Sequence, residues 1–339
     1  MKIINANAEY LDPSSMTPYA FMEKIGRICY KSENNITDDS SVRFVNRLFK
    51  NKHTAMLEHA HIILKTSSST ASALADVINP SRRSAQISPV INYINISSIA
   101  DLGYVSASFR AFINLISDYS DNGIVASIRQ CLADSYPEIF ADMTCSVSAE
   151  RNAEFTILTR DAFVNDVRSC ASSSSYDHVI AKHMTHTIVF TCDRGVSHEL
   201  VRHRPASFAQ ESTRYCNYAK DKFGKEITFI RPVMMSEDAI AADESGKLKE
   251  QYNIWKIACE FSEKYYFAML DAGAAPQTAR DVLNTSVKTE IAVTATETEW
   301  SHILSLRFHG TTGQPHPQML EIMKIARPLL MEKSDNRLS

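Results

Sequence analysis

Thr187-Ile188-Val189-Phe190-Thr191-Cys192, then Asp193-Arg194-Gly195-Val196-Ser197-His198-Glu199-Leu200-Val201, then Arg202-His203-Arg204-Pro205-Ala206-Ser207-Phe208-Ala209-Gln210-Glu211-Ser212-Thr213-Arg214-Tyr215, read as strand, short helix and cationic segment. The first block is apolar and β-branched, the pattern of a buried strand. The second places Val196, Leu200 and Val201 on the apolar face of a short helix. Pro205 disfavours helix at Arg204, so the helix is expected to stop there. On a helix, Arg202, His203 and Arg204 diverge by about 100° per residue. Guanidinium groups grip phosphate bidentately and keep their charge. Ser207, Ser212 and Thr213 add neutral donors. A solvated helix end can also carry such a triplet, where cations suit the negative end of the helix dipole.

Outward from this run, composition sets bounds. The chain has 339 residues, 44% hydrophobic and 22% charged, which suits a globular protein with a sizeable core. A net charge of −3 gives no global attraction for nucleic acid or an acidic membrane, so any phosphorylated ligand must rely on a local cluster. No apolar run is long enough to span a bilayer, and Met1-Lys2-Ile3-Ile4-Asn5 lacks a signal-peptide pattern. The cysteines (Cys29, Cys131, Cys145, Cys170, Cys192, Cys216, Cys259) form no Cys-x-x-Cys pair, which points to reduced thiols in a cytoplasmic protein. No Gly-x-Gly-x-x-Gly or P-loop occurs, so side-chain cations and helix ends would have to hold a pyrophosphate.

Along the chain, Thr17 and Pro18 open a helix to Lys31. A second helix runs from Ser40 to Lys52, with Val42, Val45, Leu48 and Phe49 inward. Glu58 to Lys65 reads as a strand. Serine clusters at Thr66–Thr70 and Ser172–Ser175 frame a stretch with helices expected over 105–119 and 123–133. A short strand is expected over 227–230. Leu248 to Ala272 reads as a long helix burying Tyr252, Trp255, Ile257, Phe261 and Tyr265, with Gly273 as its cap. Pro276 begins another helix, and Thr289 to Ala295 reads as a strand. Thr296-x-x-Glu299 is a capping box for a helix through Arg307. A final helix spans 317–331, and the residues after it are expected to fray. No internal repeat is visible.

The signature Arg202-His203-Arg204, seven residues, Ser212 resembles that of the flavin-dependent thymidylate synthases, the ThyX family. The resemblance takes in Ser212-x-Arg214-Tyr215, the block His53-Thr54-Ala55-Met56-Leu57-Glu58-His59, and a block from Arg280 through Arg307 to His316-Pro317-Gln318-Met319, in the family's order. It implies an α/β (α+β) fold, a central twisted sheet flanked by helices. Residues 1–66 and 181–332 would form the catalytic core, 67–180 a mainly helical insertion of unknown role, and 333–339 a tail.

By resemblance the activity is reductive methylation of dUMP to dTMP, a methyltransferase step of nucleotide biosynthesis. Methylenetetrahydrofolate would supply the carbon, and FAD reduced by NADPH the hydride. Arg307 would be the catalytic cation beside the uracil N3–O4 edge. Glu199, Arg202, Gln210, Glu211, Ser212, Thr213, Arg214, Arg280 and Arg307 would bind dUMP, with Arg280 supplied across an interface of a homotetramer. His53, Glu58, Arg202, His203, Arg204, Gln210, Thr296 and His316 would bind FAD. The chain departs from the family pattern at Thr296 (Asn in many relatives) and at Ala55 (a hydroxyl residue). It also has Gln210 where Glu is usual and extra residues within 309–315.

Two other classes compete on the residues alone. A metal hydrolase is suggested by His53, Glu58, His59, His61, His183 and His186, but their spacing fits neither zincin helix motif. A nucleic-acid module is suggested by Arg202-His203-Arg204, but acidic balance and the lack of an aromatic stacking motif oppose it. No metal, nucleic-acid or membrane partner is expected.

Overall fold

In the computed structural model, residues 1–78, 93–170, 176–214, 216–220 and 223–338 are described. The first part contains β1 (Lys2–Ile4), β2 (Asn7–Tyr10), α1 (Pro18–Tyr30), α2 (Ser40–Lys50), β3 (His61–Ser67), α3 (Ser68–Val77), β4 (Asn95–Ile99) and β5 (Leu102–Ser108). Next come α4 (Phe109–Asp118), α5 (Gly123–Ser135), α6 (Pro137–Phe140), β6 (Thr156–Leu158), α7 (Arg160–Cys170) and α8 (Tyr176–His183). The remainder is β7 (Thr185–Asp193), α9 (Arg194–Leu200), β8 (Ser207–Gln210), β9 (Thr228–Ile230), α10 (Glu237–Ala242), α11 (Lys247–Asp271), α12 (Pro276–Ala279), β10 (Lys288–Thr296), α13 (Glu297–Arg307) and α14 (Pro317–Lys333).

Two four-stranded antiparallel sheets carry the architecture, in the orders β2-β7-β10-β8 and β4-β5-β3-β6, beside a parallel pair β1-β9. The expected α+β class holds, but the sheet is doubled. The described part of residues 67–180 is mainly helical, as expected, and also supplies β4, β5 and β6 to the second sheet. Residues 105–108, expected to open a helix, end the strand β5 instead, and the helix there begins only at Phe109. At Gly103 the sheet comes so close to α3 that a Cβ would sit 2.5 Å from the Ala71 Cβ and the Ser67 carbonyl oxygen.

One core joins α1, α2 and β3 to α4 and α5 through Met22, Ile25, Leu57, Phe109, Phe112 and Phe140. A second lies between β7, β10, α9, α13 and α14, around Phe190, Trp300 and Met323. The segment 67–180 therefore shares a core with residues 11–62 rather than standing apart.

Local readings mostly hold. Thr17 caps α1, Thr296 caps α13 through the Glu299 amide, and Gly273 follows α11 at φ +89. Other readings need correction. In α2, Phe44 is buried while Val42 is exposed. In α11 only Cys259, Ser262 and Tyr266 are buried, because the helix packs along one narrow strip. Ile254 (62%), Ile257 (50%), Phe261 (49%) and Tyr265 (53%) stand open to solvent. The chain end is held, because Leu338 is buried and Arg337 pairs with Glu297. The Ser172–Ser175 cluster and Tyr215 fall outside the described residues.

Candidate active site

The site grows from the two central strands of the first sheet. β7 ends in Asp193, whose carboxylate accepts from the Val196 amide at 2.8 Å and starts α9. β10 ends in Thr296, which starts α13. The two helices start from opposite ends of the sheet, because β7 and β10 are antiparallel and Asp193 pairs with Lys288 while Thr296 pairs with Thr185. α9 stops at Leu200, so Arg202, His203 and Arg204 lie on a turn, and the expected fan of three helical directions does not form.

That turn meets the far end of α13. Arg307 donates from Nε to the His203 Nε2 at 3.1 Å and from Nη1 to a Glu199 carboxylate oxygen at 3.1 Å. Burial, then Arg307 and His302, push the His203 pKa down to about 4, so the ring is neutral at neutral pH and accepts from Arg307. A neutral acceptor and a carboxylate thus orient one guanidinium. The resemblance assigns Glu199 and Arg307 to dUMP and His203 to FAD, and the fold brings the three into contact.

The remaining candidates occupy distinct places. Gln210 donates to Ser197 Oγ (2.8 Å) and Thr289 Oγ1 (3.2 Å) at the sheet edge beside α9. Thr213 Oγ1 accepts from Arg280 at 3.1 Å, within one chain. Ser212 bonds through its amide to the Cys29 carbonyl. Arg214, His53, His316 and Arg202 are exposed. Thr296 spends its hydroxyl on the α13 cap. Gln318, beside His316, donates to Asp193 at 2.6 Å and ties α14 to the cap of α9.

Glu211 has a partner of its own kind. It is buried, accepts from Lys288 Nζ at 3.0 Å, and belongs to a chain of charges with Lys288, Glu290 and Lys31. Its carboxylate is engaged in that ion pair, which leaves it a supporting place behind Ser212.

A second group lines a cavity of about 410 Å³: Glu58, Tyr93, Val201, Arg204, Ala206 and Phe208. The Arg204 guanidinium stands over the Phe208 ring at 5.5 Å, and Glu58 pairs with Arg110. Aromatic faces and a fixed cation suit a flat ring joined to phosphate. Tyr93 and Arg110 were missed by sequence reasoning, since neither falls in a motif block. Among the described residues no group of three or more His, Cys, Asp or Glu side chains is placed to hold a metal ion.

The fold and this geometry define an α/β protein with a cation-centred cluster where the ends of α9 and α13 meet. The chain belongs to the family described as "Thymidylate synthase complementing protein" (Thy1), whose model matches residues 114–332. It is 33% identical over 129 residues to the flavin-dependent thymidylate synthase of Pyrococcus furiosus (38% of this chain, 48% of that protein). To the enzyme of the same name from Geobacter sulfurreducens it is 28% identical over 146 residues (43% and 55%). The chain spans about half the length of the curated relatives it matches. A UMP/dUMP methylase PolB from Streptomyces cacaoi, bound with 5-Br UMP, aligns at TM-score 0.40 and 20% identity over 51% of this chain and 84% of that one, too slight a likeness to argue from.

Proposed function

We propose that this chain methylates dUMP reductively to dTMP, with methylenetetrahydrofolate as carbon donor and FAD, reduced by NADPH, as hydride source. The observation that carries this is the Arg307 guanidinium, held by neutral His203 and by Glu199 at the meeting of α9 and α13. A fixed cation at the N3–O4 edge of uracil stabilises charge on the ring amide and makes C5 nucleophilic. Arg214, Ser212 and Thr213, with Arg280 beside Thr213, would take the phosphate of dUMP, and Gln210 its polar edge.

Arg202 and Arg204 would hold the pyrophosphate of FAD, and Tyr93 and Phe208 would border its ring, near Glu58 and His53. The bound flavin would supply the hydride. The protein's own share is to align the rings, polarise the uracil and exclude water. Residues 1–66 and 181–332 would carry this work, with Tyr93 added from 67–180. The open apolar stripe Ile254, Ile257, Phe261 and Tyr265 on α11 supports self-association, here assigned to a homotetramer. A cytoplasmic site of action fits reduced thiols.

The test is direct. The purified protein should show bound oxidised flavin by absorbance, should perturb that spectrum on addition of dUMP, and should form dTMP when given methylenetetrahydrofolate and NADPH. A protein that never takes up FAD and makes no dTMP would refute the reading.

No thiol adduct is needed at C6. Cys29, whose carbonyl accepts from the Ser212 amide, has its pKa pushed up to about 12, first by burial and then by Cys216. It is protonated at neutral pH. Cys29→Ala should keep turnover within about threefold, since only groups that contact the transition state change it strongly. A loss of two orders of magnitude in kcat, with flavin still bound, would restore the thiol as nucleophile.

A further inference from the structure

The two four-stranded sheets are the same unit twice. Reading from the outer strand, one runs β2-β7-β10-β8 and the other β6-β3-β5-β4, each antiparallel throughout. In both, each central strand ends in a residue that caps a helix: Asp193 and Thr296 in one, Ser67 and Ser108 in the other. One constant shift in numbering carries Ser67, Thr70, Ala71 and Leu74 onto Asp193, Val196, Ser197 and Leu200, the cap and the buried positions of α3 and α9. A second constant shift carries Phe109, Ala111, Phe112, Leu115 and Ile116 onto Glu297, Glu299, Trp300, Ile303 and Leu304, buried positions of α4 and α13. Independent folds have no reason to share strand order, cap positions and burial phase together. The outer strand alone differs in chain order, since β2 precedes its unit and β6 follows.

Under the same shifts the site vanishes from the first unit. Ala73 stands for Glu199, Asp76 for Arg202, Val77 for His203, Ile78 for Arg204 and Tyr119 for Arg307. What remains is contact with the second unit. The Ser207 hydroxyl donates to the Glu58 carbonyl at 3.4 Å, and His59 Nδ1 and Thr294 Oγ1 are 2.7 Å apart. Arg110 of α4 holds Glu58 at the cavity that Tyr93 shares with Arg204 and Phe208.

We propose that β3 to β6 with α3, α4 and α5 is a second copy of the catalytic unit that has lost its cations and acts as a partner built into the chain, bringing Tyr93 and Glu58 to Arg204 as the facing wall of the same pocket. A covalently attached partner holds that wall at high effective concentration without recruiting another molecule. The wall is therefore supplied within each chain, whatever the number of chains in the assembly. The internal repeat escaped sequence reading because the matched positions keep burial and capping but not residue type.

The inference rests on the flavoprotein reading only for its probe, FAD. Tyr93→Ala removes an aromatic face from the first unit and Arg204→Ala a cation from the second, and each should weaken FAD binding about tenfold. The two variants, with different affinity tags, are then co-expressed, and the mixed assemblies isolated and titrated with FAD. With the wall in the same chain, every pocket of a mixed assembly carries a defect, and FAD binding stays as weak as in the single variants. Wild-type protein that sediments as a monomer with FAD bound would give the same answer. Recovery of wild-type affinity in about half the pockets of the mixed assembly, the result expected when two symmetric copies share each pocket, would overturn the proposal. Undiminished FAD binding by Tyr93→Ala would also overturn it. Wild-type protein that takes up no FAD would sink the activity and the pocket together, whereas uptake by wild type with recovery in the mixture would sink the built-in wall alone.

Discussion

Arg307→Ala should lower kcat for dTMP formation by about two to three orders of magnitude, the cost of removing one preorganised charge aimed at a developing anion. Arg307 Nε is fixed by His203 and Nη1 by Glu199, so its remaining donors are the ones free to meet the substrate. Bound flavin should stay within about twofold of wild type, because Arg202 and Arg204, the residues proposed for the pyrophosphate, do not hold Arg307. The defect should fall on kcat and kcat/KM alike, the mark of an interaction made in the transition state. Arg307→Lys should recover little, since a point charge cannot satisfy both His203 and Glu199 in their present geometry. His203 gives a further readout. Burial leads its downward shift, and the Arg307 charge adds to it. In Arg307→Ala the His203 pKa should therefore rise, though burial keeps it below the usual histidine value. Near-normal turnover by Arg307→Ala at saturating dUMP would refute the role.

Much of the site was legible from residue chemistry, because the Arg202–Ser212 signature and Arg307 are polar groups whose spacing survives without knowledge of packing. What sequence could not give was which of these groups are already engaged. Glu211 looked like a ligand beside Ser212, yet Lys288 claims it from the neighbouring strand, a pairing set by sheet register. The end of β5, residues 105–108, was read as helix because the strand is covered on both faces, which erases the alternation that marks a half-exposed strand. In α11 the opposite failure occurred. Its apolar residues satisfy helical periodicity, but the chain covers only the strip through Cys259, Ser262 and Tyr266 and leaves Ile254, Phe261 and Tyr265 outward. Periodicity reports that a face is apolar and says nothing about what lies against it.

The tail illustrates the same limit with a larger energetic consequence. Glu297 opens α13 and has 0% exposure. Its two oxygens accept from Arg337 at 2.8 and 2.7 Å, and His186 Nε2 lies 2.8 Å away. Burial alone would raise the Glu297 pKa, but hydrogen bonds from Arg337 and His186 outweigh it and carry the net value below the ordinary one. Burial also dominates at His186 and lowers its pKa, so the neutral ring donates Nε2–H to Glu297 and accepts at Nδ1 from the Tyr10 hydroxyl, 2.9 Å away. Replacing Glu297 by Ala would strip Arg337, itself only 6% exposed, of its buried partner and leave it the exposed Asp335 alone. The expected loss is about 3–5 kcal/mol of unfolding free energy, read as a lower midpoint in urea with an unchanged slope. Deleting residues 337–339 should cost a similar amount by orphaning Glu297 instead. The pH dependence has a defined sign. A carboxylate with a depressed folded pKa contributes fully above its unfolded value of about 4.3 and loses that contribution as the pH falls through the lower folded value. The gap between wild type and Glu297→Ala should therefore be constant near neutrality and should shrink in acid. A gap below about 1 kcal/mol at pH 7 would mean that solvent reaches this network and that the tail is not anchored through it.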